Sequence, residues 1–230
     1  MSQRRIVVVA ALQREVARFV RGWKRCENSA TGIDCYVSEQ VVVACAGMGA
    51  SRAVRALDAG LQWGPARAVL SVGWAGACTG ALGLGEIVQA EVVIDARTGE
   101  RFFPMDQPKV GVRGAVVTVS APASVGEKQR LLASYGAAAV EMEAAAVARV
   151  ACARDLPFAA VKAISDDAGF EMPDISAFVT KEGQMQELAF GLHVAVRPVL
   201  WRPVMRMAAG SKLAAERLSE ALQMWVEQAR

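Results

Sequence analysis

The chain is poor in the residues that build metal centres and cross-links. It carries one histidine, His193, and an odd set of five cysteines (Cys26, Cys35, Cys45, Cys78, Cys152) with no C-x-x-C pair. That pattern supports neither a disulfide framework nor a zinc site, and no cofactor is expected. No apolar run approaches the roughly 20 residues of a membrane span. The apolar stretch behind the basic start Met1-Ser2-Gln3-Arg4-Arg5 stops before Gln13, Arg14 and Glu15. It is too short for the apolar region of a secretory signal and reads as a buried first strand, so a cytoplasmic protein is expected. A strong charge of one sign is missing as well. Lys plus Arg number 26 against 23 Asp plus Glu, a net charge of +3, and this excess lies in the last forty residues. A near-neutral body argues against nucleic acid as a partner, because its binders carry a basic stripe on the domain itself. A small molecule fits better.

What is present is enough apolar sequence for one substantial core: 230 residues, 53% hydrophobic, for which a single domain is expected. Arg5 to Ala10, Val41 to Ala46, Ala68 to Val72, Ile87 to Ile94, Ala115 to Val119 and Phe158 to Ile164 are short, apolar and β-branched. Continuous runs of this kind predict strands covered on both faces. Helical patterns lie between them, at roughly Gln13 to Arg21, Ser51 to Leu61, Glu127 to Tyr135 and Glu141 to Arg154, and Ser124 to Glu127 reads as a capping box. Alternating strand and helix predicts an α/β fold with a mixed central sheet. Pro198 and Pro203 are expected to forbid one uninterrupted helix near the end of the chain. A new helix from Ser211 then places Leu218, Leu222 and Trp225 on one stripe. That stripe packs on the body or on a second subunit, or else belongs to a basic amphipathic arm that touches a membrane surface or an amphiphilic substrate.

Several segments could carry chemistry, and each has an ordinary alternative. Ala139-Val140-Glu141-Met142-Glu143-Ala144-Ala145-Ala146 puts two carboxylates at a helix start, where the macrodipole favours negative charge; two acids on a solvated face would look the same. Ser165 and Asp166, in Lys162-Ala163-Ile164-Ser165-Asp166-Asp167, fall at the C-terminal end of a strand, where open α/β sheets place ligands. Capping of the next element is equally common. Gly47-Met48-Gly49 and Gly73-Trp74-Ala75-Gly76 read as glycine turns after strands ending at Ala46 and Val72, which let backbone approach a ligand or merely turn the chain.

Taken in order, the strings AVEMEAAAVA and PFAAVKAISDDA resemble the signature of the purine nucleoside phosphorylase superfamily, closest to its methylthioadenosine and S-adenosylhomocysteine nucleosidases. Val7 to Val16, Gly47 to Gly49, and Gly73 to Ala77 with Gly85-Glu86-Ile87-Val88 resemble the family's other landmarks. The resemblance spans residues 4–178. It implies a three-layer α/β/α phosphorylase-like fold, with a catalytic region at 1–185 and residues 186–230 as a basic, proline-broken helical arm of the same domain. It also implies cleavage of a purine nucleoside with release of the free base, and a homo-oligomer. In this likeness Asp166 is the acid that protonates N7 of the leaving purine, so activity is expected to fall as pH rises. General acid help of that kind is worth about 10² to 10⁴ in rate. Glu143 matches the carboxylate on the ribose hydroxyls, Met142 the methionine beneath the ribose, and Glu15 the residue that orients or deprotonates the attacking water. Ala121 and Ser165 sit where the family reads and fixes the base, and Gly49 lies in its glycine turn.

The departures from the family are as informative. Trp74 replaces a serine whose hydroxyl serves phosphate or water. Ser71 stands where phosphorylases carry a phosphate-binding arginine, and Lys162 replaces an arginine near the attacking water. A clamp of one lysine without a bidentate arginine is a poor phosphate site, which favours water, though phosphate as a co-substrate stays open. The segment between Ile94 and Val116 is shorter than in the nucleosidases, leaving room for a bulky 5′ substituent. In this, and in its basic C-terminal arm, the chain resembles the phosphorylase-like proteins of hopanoid lipid biosynthesis that act on adenosylhopane. The alternatives are a catalytically silent relative whose site Trp74 fills, and a phosphorylase of simple purine nucleosides.

Overall fold

The computed structural model describes residues 4–28, 33–106, 108–173, 176–178, 180 and 186–228. The first apolar run forms strand β1 (Arg5–Ala10). Ile6 and Val8 pack on one face of the sheet and Val7 and Val9 on the other. Burial on both faces is why the segment shows no polar alternation. β1 lies parallel between β4 (Val41–Cys45) and β5 (Ala66–Ala77), and the hairpin of β2 (Lys24–Asn28) and β3 (Ile33–Val37) extends the β4 edge. Beyond β5 the sheet closes on itself. β5 pairs with both β10 (Phe158–Asp166) and β9 (Ala137–Glu141), and β6 (Ile87–Asp95) and β8 (Val112–Thr118) complete the ring in the order β5, β10, β6, β8, β9. The short β7 (Arg101–Phe102) hangs on the outside of β6.

Helices α2 (Ala50–Leu61) and α4 (Ala144–Ala153) cover one face of this mixed sheet, α1 (Gln13–Val16) and α6 (Pro198–Gln228) the other. This is the three-layer arrangement expected of a phosphorylase-like chain. α3 (Val125–Tyr135) packs on β8 and β9, and α5 (Glu187–Ala195) on α6.

Several expectations need correction. β5 does not end at Val72 but runs through Gly73-Trp74-Ala75-Gly76, because Gly73 adopts φ 141°, which bends the strand without breaking its pairing to Lys162. The helix expected over Gln13 to Arg21 is a single turn, and the one expected from Glu141 begins at Ala144, since Glu141 is still paired in β9. Ser124 does cap α3, accepting from the Glu127 N–H at 3.2 Å, but the Glu127 carboxylate turns to Arg130, so the reciprocal half of a capping box is not made. Finally, the two prolines do not break the last helix, and Ser211 lies in its interior. Pro198 occupies the first helical position, where its missing N–H costs nothing. Pro203 sits one turn further on, and the Val199 carbonyl it leaves unpaired belongs to a residue 80% exposed and open to water.

The expected stripe of Leu218, Leu222 and Trp225 is real. It is fully buried on the body, beneath Val8, Leu70, Val72 and Val161. Apolar side chains left exposed lie earlier in the segment, on α5 and the start of α6.

Candidate active site

Three buried carboxylates and one buried lysine meet where β1, β5, β9 and β10 run out. Glu15, on the single turn α1, is held by backbone: one carboxylate oxygen accepts the Ala11 and Leu12 N–H groups at 3.0 Å each, and the other faces the Trp74 N–H at 3.4 Å. Gly73 makes this possible, since a Cβ there would lie 3.2 Å from the Glu15 carboxylate. Burial pushes the Glu15 carboxyl above its usual value, against the pull of those N–H bonds and of Lys162. Glu143 stands just before α4, and its side chain, which does not cap the helix, accepts the Gly49 N–H at 2.7 Å from the glycine turn that follows β4. Burial, then the like charge of Glu141, pushes it up to about 7.

Glu141 is saturated with donors. It takes the Glu143 and Ala144 N–H groups at 3.0 and 2.9 Å, the Thr118 hydroxyl at 2.5 Å and the Lys162 ammonium at 2.8 Å. Lys162 also donates to the Ser71 hydroxyl at 3.2 Å. Burial presses the Lys162 value down, but the carboxylates of Glu141 and Glu143 outweigh it and leave the ammonium more strongly held than usual.

Asp166, at the end of β10, is the second centre. One of its oxygens accepts from the Ser165 hydroxyl at 2.8 Å and the other from the Lys128 ammonium at 2.5 Å. Lys128 is wholly buried on α3 and spends its remaining donors on the carbonyls of Asp167 and Phe170, at 2.9 and 3.3 Å.

These groups open onto one cavity of about 620 Å³, in the range of small-ligand sites. Of the residues expected at the site, Glu15, Trp74, Ala121, Met142, Glu143, Ser165 and Asp166 all line it. Gly49, Ser71 and Lys162 do not. Gly49 acts from behind through its N–H, while Ser71 and Lys162 lie fully buried beneath the carboxylates. The opposite wall comes from the C-terminal helices, through Phe190, Val204, Met207 and Ala208. Trp74 is half-buried, with the Arg14 guanidinium 5.1 Å above its ring and its buried indole N–H without a partner among the described residues, so it forms wall rather than plug.

Two residues of the cluster escape sequence reasoning. Glu141 looks like a helix-start acid, and only its pairing in β9 turns it inward. Lys128 lies in a polar helical run, Glu127-Lys128-Gln129-Arg130, that reads as solvated throughout.

The description of the Phosphorylase superfamily matches residues 5–112 and 106–196, most of the chain. The chain belongs to the Phosphorylase superfamily. Solved structures of similar fold span essentially its whole length. The 5′-methylthioadenosine/S-adenosyl homocysteine nucleosidase of Helicobacter pylori aligns with TM-score 0.72 at 15% identity, covering 99% of this chain and 100% of that one. Futalosine hydrolase of Helicobacter pylori aligns with TM-score 0.71 at 16% identity, over 98% of each. The adenine complex of the 5′-methylthioadenosine/S-adenosylhomocysteine nucleosidase of Colwellia psychrerythraea gives TM-score 0.72 at 20% identity, over 98% and 96%. At these identities the superfamily fold is what is shared. No curated protein matches the chain.

Proposed function

We propose that this chain is an enzyme that hydrolyses the N-glycosidic bond of a 5′-substituted adenine nucleoside and releases the base. The observation that carries the reading is the convergence of Asp166, Glu143 and Glu15, all buried, on one cavity at the C-terminal ends of the strands. Asp166 and Ser165 bind the base edge beside Ala121, and Asp166 delivers the proton that makes the purine a neutral leaving group. Glu143 accepts the ribose hydroxyls above Met142, and its negative charge stabilises the oxocarbenium-like sugar. Glu15, fixed by three N–H groups, orients the water. The similar folds include nucleosidases and a futalosine hydrolase, which agrees with this chemistry.

Water is favoured over phosphate because Lys162 is committed to Glu141 and Ser71 and does not reach the cavity. The two residues expected to serve a nucleophile site act instead as an electrostatic floor under the carboxylates. The 5′ substituent is read as apolar, since Phe190, Val204 and Met207 form the facing wall. Adenosylhopane is the candidate substrate, supported by that apolar wall and by the short segment between Ile94 and Val116.

Exposed Leu188, Leu192, Val196, Val199, Trp201 and Met205, beside Arg197 and Arg202, give the α5–α6 corner an apolar and basic surface. It suits peripheral contact with an anionic inner-membrane face or, if the chain assembles, a second copy. Among the described residues no helix is long and apolar enough to cross a membrane.

The test is release of free adenine from adenosine, methylthioadenosine and adenosylhopane, with and without phosphate. Release that is independent of phosphate and faster for an apolar 5′ group is expected. Strict phosphate dependence would replace hydrolysis by phosphorolysis, and release from none of the three would leave a silent nucleoside-binding relative.

A further inference from the structure

The lysine that faces Asp166 from α3 borders the cavity, but its three donors are taken by Asp166 and two carbonyls, so the proposed reaction gives it no contact with base or sugar. We infer that Lys128 is the positioning residue for Asp166: it fixes the carboxylate in place and acts on the reaction through Asp166. The inference rests on the proposed role of Asp166.

Three observations carry it. A lysine side chain is rarely buried unless it is paired, and Lys128 is 1% exposed, in a helix whose other charged residues face solvent. Its three donors are each used, one on Asp166 and two on the carbonyls of Asp167 and Phe170, so the ammonium ties β10 and the turn after it to α3. The strand beneath is cut away to admit the pair. A Cβ on Gly76 would lie 2.7 Å from an Asp166 oxygen and 3.0 Å from the Lys128 side chain, so β5 carries a glycine opposite Asp166.

The chemical consequence concerns the proton. With one oxygen on Lys128 and the other facing the Ser165 hydroxyl, Asp166 meets a ligand as an acceptor. In the proposed reaction a proton drawn from solvent passes through Asp166 to N7 as the glycosidic bond breaks, and the proton of the attacking water leaves through Glu15. The other charged or titratable groups around it are Cys78, at the end of β5, whose thiol burial pushes up to about 11, and Asp167, which is itself paired with Arg206 of α6. Neither supplies a positive charge to Asp166. Lys128 does.

The experiment is a cycle of Lys128→Met, Asp166→Asn and the double variant, measuring release of the base from whichever nucleoside the parent turns over. Thermal melting confirms folding. Lys128→Met is expected to lower kcat by about 10- to 100-fold, a part of the full general-acid effect, with KM within about threefold of the parent, the split expected of a residue that positions the acid and does not bind substrate. In the Asp166→Asn background the same change is expected to cost less than about threefold, the signature of two residues acting as one unit.

Parent-like kcat in Lys128→Met, or a loss that appears in KM with kcat unchanged, would overturn the inference. So would a further tenfold loss in the double variant relative to Asp166→Asn, which would mean that Lys128 acts independently. If Lys128→Met alone does not fold, the comparison of Asp166→Asn with the double variant decides, since in that pair the lone buried carboxylate is already gone. Asp166→Asn turning over at the parent rate would instead remove the functional reading itself.

Discussion

Glu143 shows how a single buried carboxylate ties stability to pH. Its value in the folded protein, about 7, lies above its ordinary 4.5 because burial and Glu141 both disfavour the charge. Between those two values the folded chain holds a proton that the unfolded chain has lost. The contribution of Glu143 is thus most favourable below about 4.5 and declines as pH rises towards 7, a tenfold difference in proton affinity being worth about 1.4 kcal/mol. Burial moves Glu15 in the same direction. Glu143→Gln removes one of these groups, so the variant is expected to gain stability relative to the parent as pH rises from 5 to 8, by an amount on the order of 2 kcal/mol. Urea denaturation of both proteins at those two pH values measures it. A constant difference would show that Glu143 does not titrate in this window. The proposed site residues Glu15, Glu143 and Asp166 were legible only through the order and spacing of motifs that resemble the superfamily, since a strand-end Ser-Asp pair or two helix-start acids alone read equally well as capping or a solvated face. Lys128 was not, because nothing in a polar helical run reveals which turn faces inward.

At the scale of elements, α6 joins the scaffold to the site. Its C-terminal half buries Leu218, Leu222 and Trp225 on the sheet, while its N-terminal half supplies Val204, Met207 and Ala208 to the cavity wall. The two halves meet at Gly210, which is buried and so close to β10 that a Cβ would lie 2.1 Å from the Ser165 carbonyl. Gly210→Ala must push the helix off the strand next to Asp166. The expected cost is about 1 to 3 kcal/mol, as for other overpacked sites, together with a raised KM, because the apolar wall moves with the helix. Thermal melting and steady-state kinetics check both. An unchanged KM with a lowered melting temperature would separate the wall from the packing.

Six strands could be read from the sequence because each is buried on both faces. β9 could not, since Ala137-Ala138-Ala139 has no β-branched signature and is held as a strand only by its partners β5 and β8. The continuity of α6 was hidden by Pro203, whose helix-breaking cost is small where the freed carbonyl meets water.

The whole molecule explains why these parts meet. Closure of the sheet through β5, β10, β6, β8 and β9 brings the ends of β9 and β10 alongside the long β5, so that Glu141 and Asp166, 25 positions apart in sequence, flank one strand. The near-neutral body and the size of the cavity agree with a small uncharged nucleoside, and the basic, apolar corner of α5 and α6 lies on the same helices that wall the cavity.

The central claim is that Asp166 donates the proton that frees the base. It is tested most directly by comparing base release in the parent and in Asp166→Asn, both folded, at saturating substrate. The account predicts a loss of about 100-fold or more in kcat; a variant within a few-fold of the parent would contradict it.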